Sequence, residues 1–205
     1  MKSNIITLGA ACVALMLGAA GAVAAPQIGK PAPDFTGVDT NGKTHTLKEL
    51  RGKTVILEWT NDGCPYVKKH YGSGNMQSLQ KEETAKGVVW LTIASSAPGE
   101  QGNLTPAEHN ALMEKRGAAP TAVIVDEDGT IGHAYGATTT PDMFIITPDG
   151  TLAYKGAIDD KATTDTADIA GAKNYVRNAL EQIAAGKPVD PAVTRSYGCS
   201  VKYKS

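Results

Sequence analysis

Five short apolar runs, rich in β-branched residues, recur along the chain between turn-forming residues. They occupy residues 54–59, 88–94, 122–125, 143–147 and 152–154. Runs of this length predict strands that are buried within a sheet. The Pro148-Asp149-Gly150 turn joins the last two runs into a hairpin, and Asn41-Gly42 predicts another hairpin near the start of the chain.

Helical signals lie between these runs. A helix is predicted over residues 65–86, and a capping box at residues 105–108 opens a second helix that Gly117 closes. A last long helix, ending near Gly186, carries five apolar residues on one face: Ile169, Ala172, Val176, Leu180 and Ile183. This succession predicts an α/β fold in which a central mixed β-sheet has helices on both faces and a β-hairpin precedes it.

The first 24 residues differ in composition from the rest. Lys2 precedes an apolar stretch rich in Ala and Gly, and Ala22-Val23-Ala24 fits the small-residue rule for signal cleavage. We expect residues 1–24 to be a secretory signal that is removed, and the mature protein to be periplasmic or extracellular; an uncleaved membrane anchor is the alternative. No later stretch is apolar enough to span a bilayer. Residues 25–187 are then predicted to form one domain, and residues 188–205 a C-terminal extension.

Charge and composition exclude several function classes. The chain has 20 Lys and Arg against 21 Asp and Glu, so no basic excess indicates a nucleic-acid partner. No glycine-rich loop indicates a nucleotide, and no cofactor is predicted. The four histidines lack metal-ligand spacing, so we interpret them as surface residues and predict no metal. Copper bound by His70 with Met76 and Cys64 is the alternative interpretation.

The cysteines indicate thiol chemistry. Signal removal would take Cys12, which leaves Cys64 and Cys199 in a compartment where disulfides persist. Cys64 lies between a predicted strand and the helix that Pro65 starts. Backbone N–H groups at a helix start stabilise a thiolate, and Lys68 on the same face would add positive charge. Cys199 would attack an oxidised Cys64; a permanent disulfide and two unrelated thiols are the other interpretations.

Two further positions could support that chemistry. Glu58 lies in the predicted strand six residues before Cys64, where a buried carboxylate can relay protons or can be satisfied and inert. Thr140-Pro141 precedes another strand, in a setting where a cis peptide bond is plausible.

The motifs together resemble a known family. The segments are I-G-K-P-A-P-D-F, G-C-P-Y-V at residues 63–67, T-T-P-D-M-F, G-A-I-D-D at residues 156–160 and Y-G-C-S-V-K-Y-K. They are similar to the peroxiredoxin-like redoxins of the alkyl hydroperoxide reductase/thiol-specific antioxidant branch of the thioredoxin superfamily. The resemblance implies a thioredoxin fold, Cys64 as the attacking thiol and a cis-Pro141 facing it. It also implies that Thr140 offers backbone groups to a substrate strand.

Two departures from the family's patterns limit what the resemblance implies. Leu57 and Asn61 stand where typical peroxiredoxins have proline and threonine, and Val67 stands where thioredoxins have a second cysteine. We therefore expect a thiol oxidoreductase in which Cys64 attacks a peroxide or a disulfide and Cys199 resolves the product. A thiol protein is the candidate electron donor. The alternative is a non-catalytic module that binds a protein partner or copper in the cell envelope.

Overall fold

The structure is a computed structural model that describes residues 25–204. The predicted signal over residues 1–24, with its cleavage site and Cys12, lies outside the described residues. Within the described part of the chain, no helix is both long and apolar enough to cross a membrane.

Short strands alternate with helices, as the apolar runs predict. The strands of the described residues are Thr36–Val38 (β1), Thr44–Thr46 (β2), Val55–Trp59 (β3), Val89–Ala94 (β4), Ala122–Val125 (β5), Thr139–Thr140 (β6), Asp142–Ile146 (β7), Leu152–Gly156 (β8) and Cys199–Ser200 (β9). The α-helices are Pro65–Gly72 (α1), Asn75–Ala85 (α2), Pro106–Arg116 (α3), Thr130–Tyr135 (α4) and Tyr175–Ala184 (α5). Two 3-10 segments cover Lys48–Leu50 and Thr166–Gly171.

The central sheet contains all five of the predicted apolar runs. Its strand order is β5-β4-β3-β7-β8. β3, β4 and β5 run parallel, whereas β7 and β8 are antiparallel to their neighbours, which makes the sheet mixed. β1 and β2 form the predicted antiparallel hairpin, and β6 and β9 form a separate two-stranded pair.

Each face of the sheet has its own hydrophobic core, because successive side chains of a strand point to opposite faces. Val55, Leu57 and Trp59 of β3 pack into one core together with residues of α4. Ile56 packs into the other core with Cys64 and with residues of α1, α2 and α5. Helices on both faces of a mixed sheet confirm the predicted fold class, and Cys64 belongs to the core formed by α1, α2 and α5.

Two predicted helices are shorter than the patterns indicated. The helix predicted over residues 65–86 is interrupted between α1 and α2, because Gly74 has a positive φ of 76° that a helix cannot contain. The predicted last helix is also too long. Asn174 accepts a hydrogen bond from the Arg177 N–H and caps α5, so Ile169 lies in a separate 3-10 segment.

The C-terminal residues form an ordered segment over the domain. Residues 196–203, which we call the tail segment, include β9, and Val201 N–H donates to the Thr138 carbonyl at 3.1 Å. The Lys202 carbonyl accepts from Ala97 N–H at 2.8 Å. The tail segment therefore lies between the loop that follows β4 and the segment that precedes β6.

Candidate functional site

Cys64 occupies the N-cap position of α1, directly after the loop that follows β3. Pro65 takes the first helical position, where its missing N–H costs no intrahelical hydrogen bond. The Cys64 N–H donates to the Asn61 carbonyl at 3.1 Å, which fixes the turn before the helix. The Cys64 side chain is fully buried in this arrangement.

Thr140 faces Cys64 from the opposite side of the site. The Cys64 Sγ–H donates to the Thr140 carbonyl oxygen at 3.0 Å. The Thr140–Pro141 peptide bond is cis, in agreement with the sequence-based prediction. The start of α1 and the strand before Pro141 therefore meet at the sulfur of Cys64.

The fold brings Cys199 to the same place. β9 pairs antiparallel with β6, and Cys199 is the register partner of Thr140. The Thr140 hydroxyl donates to the Cys199 carbonyl at 3.5 Å. Both cysteines are free thiols, Cys64 buried and Cys199 partly exposed. The fold thus brings together two cysteines that lie 135 residues apart in the sequence.

The two thiols differ in acidity. Burial opposes ionisation of Cys64, but hydrogen bonds from the Cys199 and Thr140 side chains and from the Val67 and Cys199 N–H groups outweigh it and lower its pKa. Burial raises the pKa of Cys199 to about 11, and its hydrogen bond with Cys64 adds to the shift. Because the thiolate is the nucleophile, these opposite pKa shifts favour Cys64 over Cys199 as the more reactive thiol.

Lys68 and its neighbour Lys69 have different surroundings. The Lys68 side chain is exposed. Lys68 contacts Cys64 through the helix backbone, where the Lys68 N–H donates to the Cys64 carbonyl at 3.0 Å. Lys69 is fully buried, with Nζ 3.8 Å from Asp159 Oδ2 and 5.7 Å from the centre of the Tyr197 ring. The buried cation of α1 is therefore Lys69, which the sequence analysis did not select.

A buried polar cluster holds the tail segment in place beside the site. The Tyr197 hydroxyl donates to Asp159 Oδ1, and His70 Nε2 lies 3.1 Å from the same hydroxyl. His70 Nδ1 accepts from the Asn75 amide at 2.9 Å, so the proton of the neutral imidazole lies on Nε2. Burial lowers the pKa of His70 to about 4, with the Lys69 charge acting in the same direction and Asp159 against it.

The prediction of surface histidines is wrong for three of the four. His70, His45 and His109 are buried, and only His133 is exposed. Their partners, such as Asp39 at 2.7 Å from His45 Nε2, come from folding and not from a local pattern. Among residues 25–204, no group of three or more His, Cys, Asp or Glu side chains could hold a metal ion. The copper alternative, which adds Met76 to His70 and Cys64, stays a prediction.

Glu58 is buried and saturated with hydrogen bonds. Its carboxylate accepts from Trp90 Nε1 at 2.8 Å, from the Tyr71 hydroxyl at 2.8 Å, from Gln80 Nε2 at 3.0 Å and from the Thr92 hydroxyl at 3.2 Å. Burial nevertheless raises its pKa above the ordinary value for glutamate. None of its four hydrogen bonds reaches Cys64, so a proton relay from Glu58 to the thiol stays a prediction.

The site is closed in this state. Tyr66, Tyr197 and Cys199 are partly buried against the core that contains Cys64. A cleft of about 670 Å³ borders the tail segment at Tyr197 and Gly198 and reaches Arg195. A reaction partner of Cys64 therefore has to approach past residues of the tail segment.

Known proteins resemble this chain in sequence and in fold. The chain is 30% identical over 122 residues to the thiol-disulfide oxidoreductase ResA of Bacillus subtilis. That match covers 60% of this chain and 63% of the relative, so the chain spans less than two thirds of the relative's length.

Solved structures share the fold. An uncharacterized conserved protein of Geobacillus kaustophilus aligns with a TM-score of 0.73 and 26% identity, over 87% of this chain and 93% of that one. A putative thioredoxin of Neisseria meningitidis aligns with a TM-score of 0.52 and 19% identity, over 75% of this chain and 92% of that one. The fold is therefore thioredoxin-like. The sequence profile of the AhpC/TSA family matches residues 28–155, more than half of the chain, and the chain belongs to that family.

Proposed function

We propose that the protein is a thiol–disulfide oxidoreductase in which Cys64 is the nucleophile and Cys199 the resolving thiol. The observation that carries this proposal is the register of β6 and β9, which sets Cys199 opposite Thr140 while the Cys64 thiol donates to the carbonyl of Thr140. The opposite pKa shifts of the two thiols support the division of roles. The name of the Bacillus subtilis relative points to the same class of reaction.

The reaction begins when the Cys64 thiolate attacks one sulfur of a substrate disulfide. The substrate disulfide breaks, its other sulfur leaves as a thiolate, and a mixed disulfide joins Cys64 to the substrate. Cys199 then loses its proton to the leaving thiolate or to water and attacks the Cys64 sulfur. The substrate leaves as a dithiol, having gained two electrons, and the protein, having lost them, is left with a Cys64–Cys199 disulfide. An external thiol reductant then restores both thiols.

The neighbouring residues have supporting roles in this scheme. Pro65 starts α1, whose N–H groups point to the Cys64 thiolate, and the Thr140 side chain supplies a hydrogen bond on the other side. Pro141 fixes the backbone after Thr140. Glu58 and Lys68 remain candidates for proton transfer and for long-range charge stabilisation, respectively.

Peroxide reduction is the second candidate function, and membership of the AhpC/TSA family favours it. Cys64 would then be oxidised to a sulfenic acid, and attack by Cys199 would release water and form the same disulfide. Asn61 stands at the threonine position of peroxiredoxins, and its side chain is committed to the Gln101 carbonyl at 2.7 Å and to the Gly63 N–H at 2.9 Å. Because these hydrogen bonds occupy the Asn61 side chain, it is not free to activate a peroxide as the threonine of peroxiredoxins would. Disulfide exchange is therefore the better supported reaction.

The proposal includes the location and the partners of the protein. From the sequence of residues 1–24 we propose an exported mature protein that comprises the domain over residues 25–187 and the extension over residues 188–205. Its electron donor would be a thiol protein of the same compartment. A non-catalytic module that binds a partner protein is the remaining alternative.

One experiment separates these functions. Reduced protein is treated with hydroxyethyl disulfide or with hydrogen peroxide, alkylated, and analysed peptide by peptide by mass spectrometry. We expect the small disulfide to produce a Cys64–Cys199 disulfide in the wild type and a Cys64 mixed disulfide in Cys199→Ser. A Cys64–Cys199 disulfide formed only with hydrogen peroxide would favour the peroxidase. Thiols that stay unchanged with both reagents would favour the non-catalytic module.

A further inference from the structure

The tail segment lies in an extended groove that its own residues fill. β9 adds a two-residue strand to β6 and takes no part in the five-stranded central sheet. The tail segment can therefore leave without breaking any hydrogen bond of that sheet. Because Cys64 is fully buried with Tyr197 and Cys199 packed near it, a substrate can reach its sulfur only when the tail segment moves.

The groove has no space for a side chain before the cysteine. Gly198 has a φ of 139°, a conformation that other residues rarely adopt. A Cβ atom on Gly198 would lie well inside 3.0 Å of the Thr140 carbonyl oxygen, and the Pro141 nitrogen is also close. A segment that pairs with β6 in this register therefore needs glycine directly before its cysteine.

One residue earlier, the groove accepts a tyrosine. The Tyr197 hydroxyl reaches His70 and Asp159, which are both buried. The ring lies 5.7 Å from the centre of the Tyr66 ring and under the Lys69 ammonium. These groups form a slot with aromatic and cationic groups beside the ring and hydrogen-bonding groups at its end. A tyrosine fits this slot because its phenol has both a ring and a hydroxyl.

Four residues after the cysteine, the groove accepts a second tyrosine. Tyr203 stacks on His133 with ring centres 4.0 Å apart, and its hydroxyl donates to the Ala137 carbonyl at 2.8 Å. Any Cβ at Gly129 or Gly132 would lie inside 3.0 Å of the Tyr203 side chain. The two glycines of α4 and its cap therefore leave the space that the Tyr203 ring occupies.

We propose that the tail segment is a self-bound peptide ligand, and that the substrate of Cys64 is an extended segment with tyrosine, glycine and cysteine in succession that displaces it. This inference rests on the proposed disulfide exchange and adds the substrate class to it. The segment Ser-Tyr-Gly-Cys-Ser-Val at residues 196–201 shows which side chains the groove accepts. The protein is closed until a matching segment competes with its own.

The test compares synthetic peptides on the full chain carrying Cys199→Ser. The peptides are Ser-Tyr-Gly-Cys-Ser-Val and its variants with alanine in place of the glycine or of the tyrosine, each linked through its cysteine to thionitrobenzoate. The Cys64 thiolate attacks the peptide sulfur, the disulfide to thionitrobenzoate breaks, and the coloured thiolate leaves while a Cys64–peptide disulfide forms. Absorbance follows the rate, and mass spectrometry confirms the adduct.

We expect the glycine peptide to react faster than its alanine variant by about tenfold or more, the ratio that corresponds to ~1.4 kcal/mol. The peptide without tyrosine should react several times more slowly than the parent because the slot between His70 and Asp159 stays unfilled. Equal rates for the three peptides would overturn the inference. Since this comparison uses one protein, it does not depend on the folding of any tail variant.

A second measurement tests the displacement itself. Tyr203→Ala removes an anchor that lies away from both thiols, so every peptide should react about tenfold faster. Tyr203→Phe keeps the ring and loses only the hydrogen bond to the Ala137 carbonyl, so it should give a smaller increase over the Cys199→Ser parent. An unchanged rate in Tyr203→Ala would show that the tail segment does not compete.

A small disulfide, cysteine linked to thionitrobenzoate, serves as the control for the proposed function. If Cys64 reacts with it but does not distinguish the peptides, only the inference of a peptide groove fails. If Cys64 reacts with no disulfide at all, the proposed function itself fails.

Discussion

Replacing Asp142 with asparagine should stabilise the protein at neutral and alkaline pH. Asp142 follows Pro141 at the start of β7 and is buried. Its carboxylate accepts a hydrogen bond from the Thr138 N–H at 3.1 Å, in the segment that pairs with the tail. Burial raises the pKa of Asp142 to about 7, although hydrogen bonds from the Thr138, Thr139 and Met143 N–H groups and the charge of Lys155 act against the shift.

The sign of the effect follows from proton linkage. The folded protein binds the Asp142 proton more tightly than the unfolded chain, whose value is 3.8. Stability is therefore greatest below the unfolded pKa and is lost as the pH rises through the folded pKa of about 7. A shift of this size, at ~1.36 kcal/mol per pKa unit, makes the ionised carboxylate cost roughly 4 kcal/mol. Asparagine keeps an acceptor for the N–H groups and never ionises.

The assay is urea denaturation followed by the fluorescence of the buried Trp59 and Trp90, in wild type and Asp142→Asn. The difference in unfolding free energy between the two proteins should grow by as much as roughly 4 kcal/mol between about pH 4 and about pH 8. Asp149→Asn is the matched control, because hydrogen bonds from Thr147 and Thr151 lower the pKa of the exposed Asp149 and give the opposite sign. A difference that stays constant with pH would refute the reasoning.

Three further predictions concern the site. The pH midpoint for alkylation of Cys64 should rise in Cys199→Ala, because the thiolate loses the hydrogen bond from the Cys199 thiol; an unchanged midpoint would contradict this. Tyr197→Phe should increase the alkylation rate of Cys64 by about tenfold, since two buried hydrogen bonds of ~0.5–1.5 kcal/mol each are lost; equal rates would show that the hydroxyl does not hold the tail segment. Glu58→Leu should lower the unfolding free energy by more than about 3 kcal/mol, because each of four buried donors that loses its acceptor costs about 1–3 kcal/mol, and a urea midpoint equal to the wild type would argue against a structural role.

The elements could be predicted where their signals are local. The five apolar runs became the five strands of the central sheet, and the capping box at Thr105 and Glu108 opens α3 as expected. The break between α1 and α2 was missed because the apolar pattern continues across it, although Gly74 marks it. The last helix was overextended for the same reason, since apolar positions on one face do not reveal that Asn174 begins a new helix.

The residues of the site could be predicted more fully than the contacts between them. Cys64 and Pro65 carry a local signal, since a cysteine before a proline at a helix start is recognisable from sequence. The contact with Cys199 depends on the pairing of β6 with β9, which no periodicity of the tail indicates. The burial of His70 likewise depends on Tyr197, which lies 127 residues away along the chain. The burial of charged and polar residues can be predicted only when their hydrogen-bond partners are known.

The replacement of a second motif cysteine by Val67 has a physical consequence for regulation. Val67 is buried in the core, while its N–H still helps to lower the pKa of Cys64. In the proposed reaction the resolving thiol comes instead from Cys199, on the segment that also covers the site. A Cys64–Cys199 disulfide would therefore tie the tail segment to α1, and its reduction would leave only non-covalent contacts to hold the tail segment. By linkage, a segment that displaces the tail must also disfavour the disulfide, so substrate binding and the redox state of the two cysteines are one coupled equilibrium.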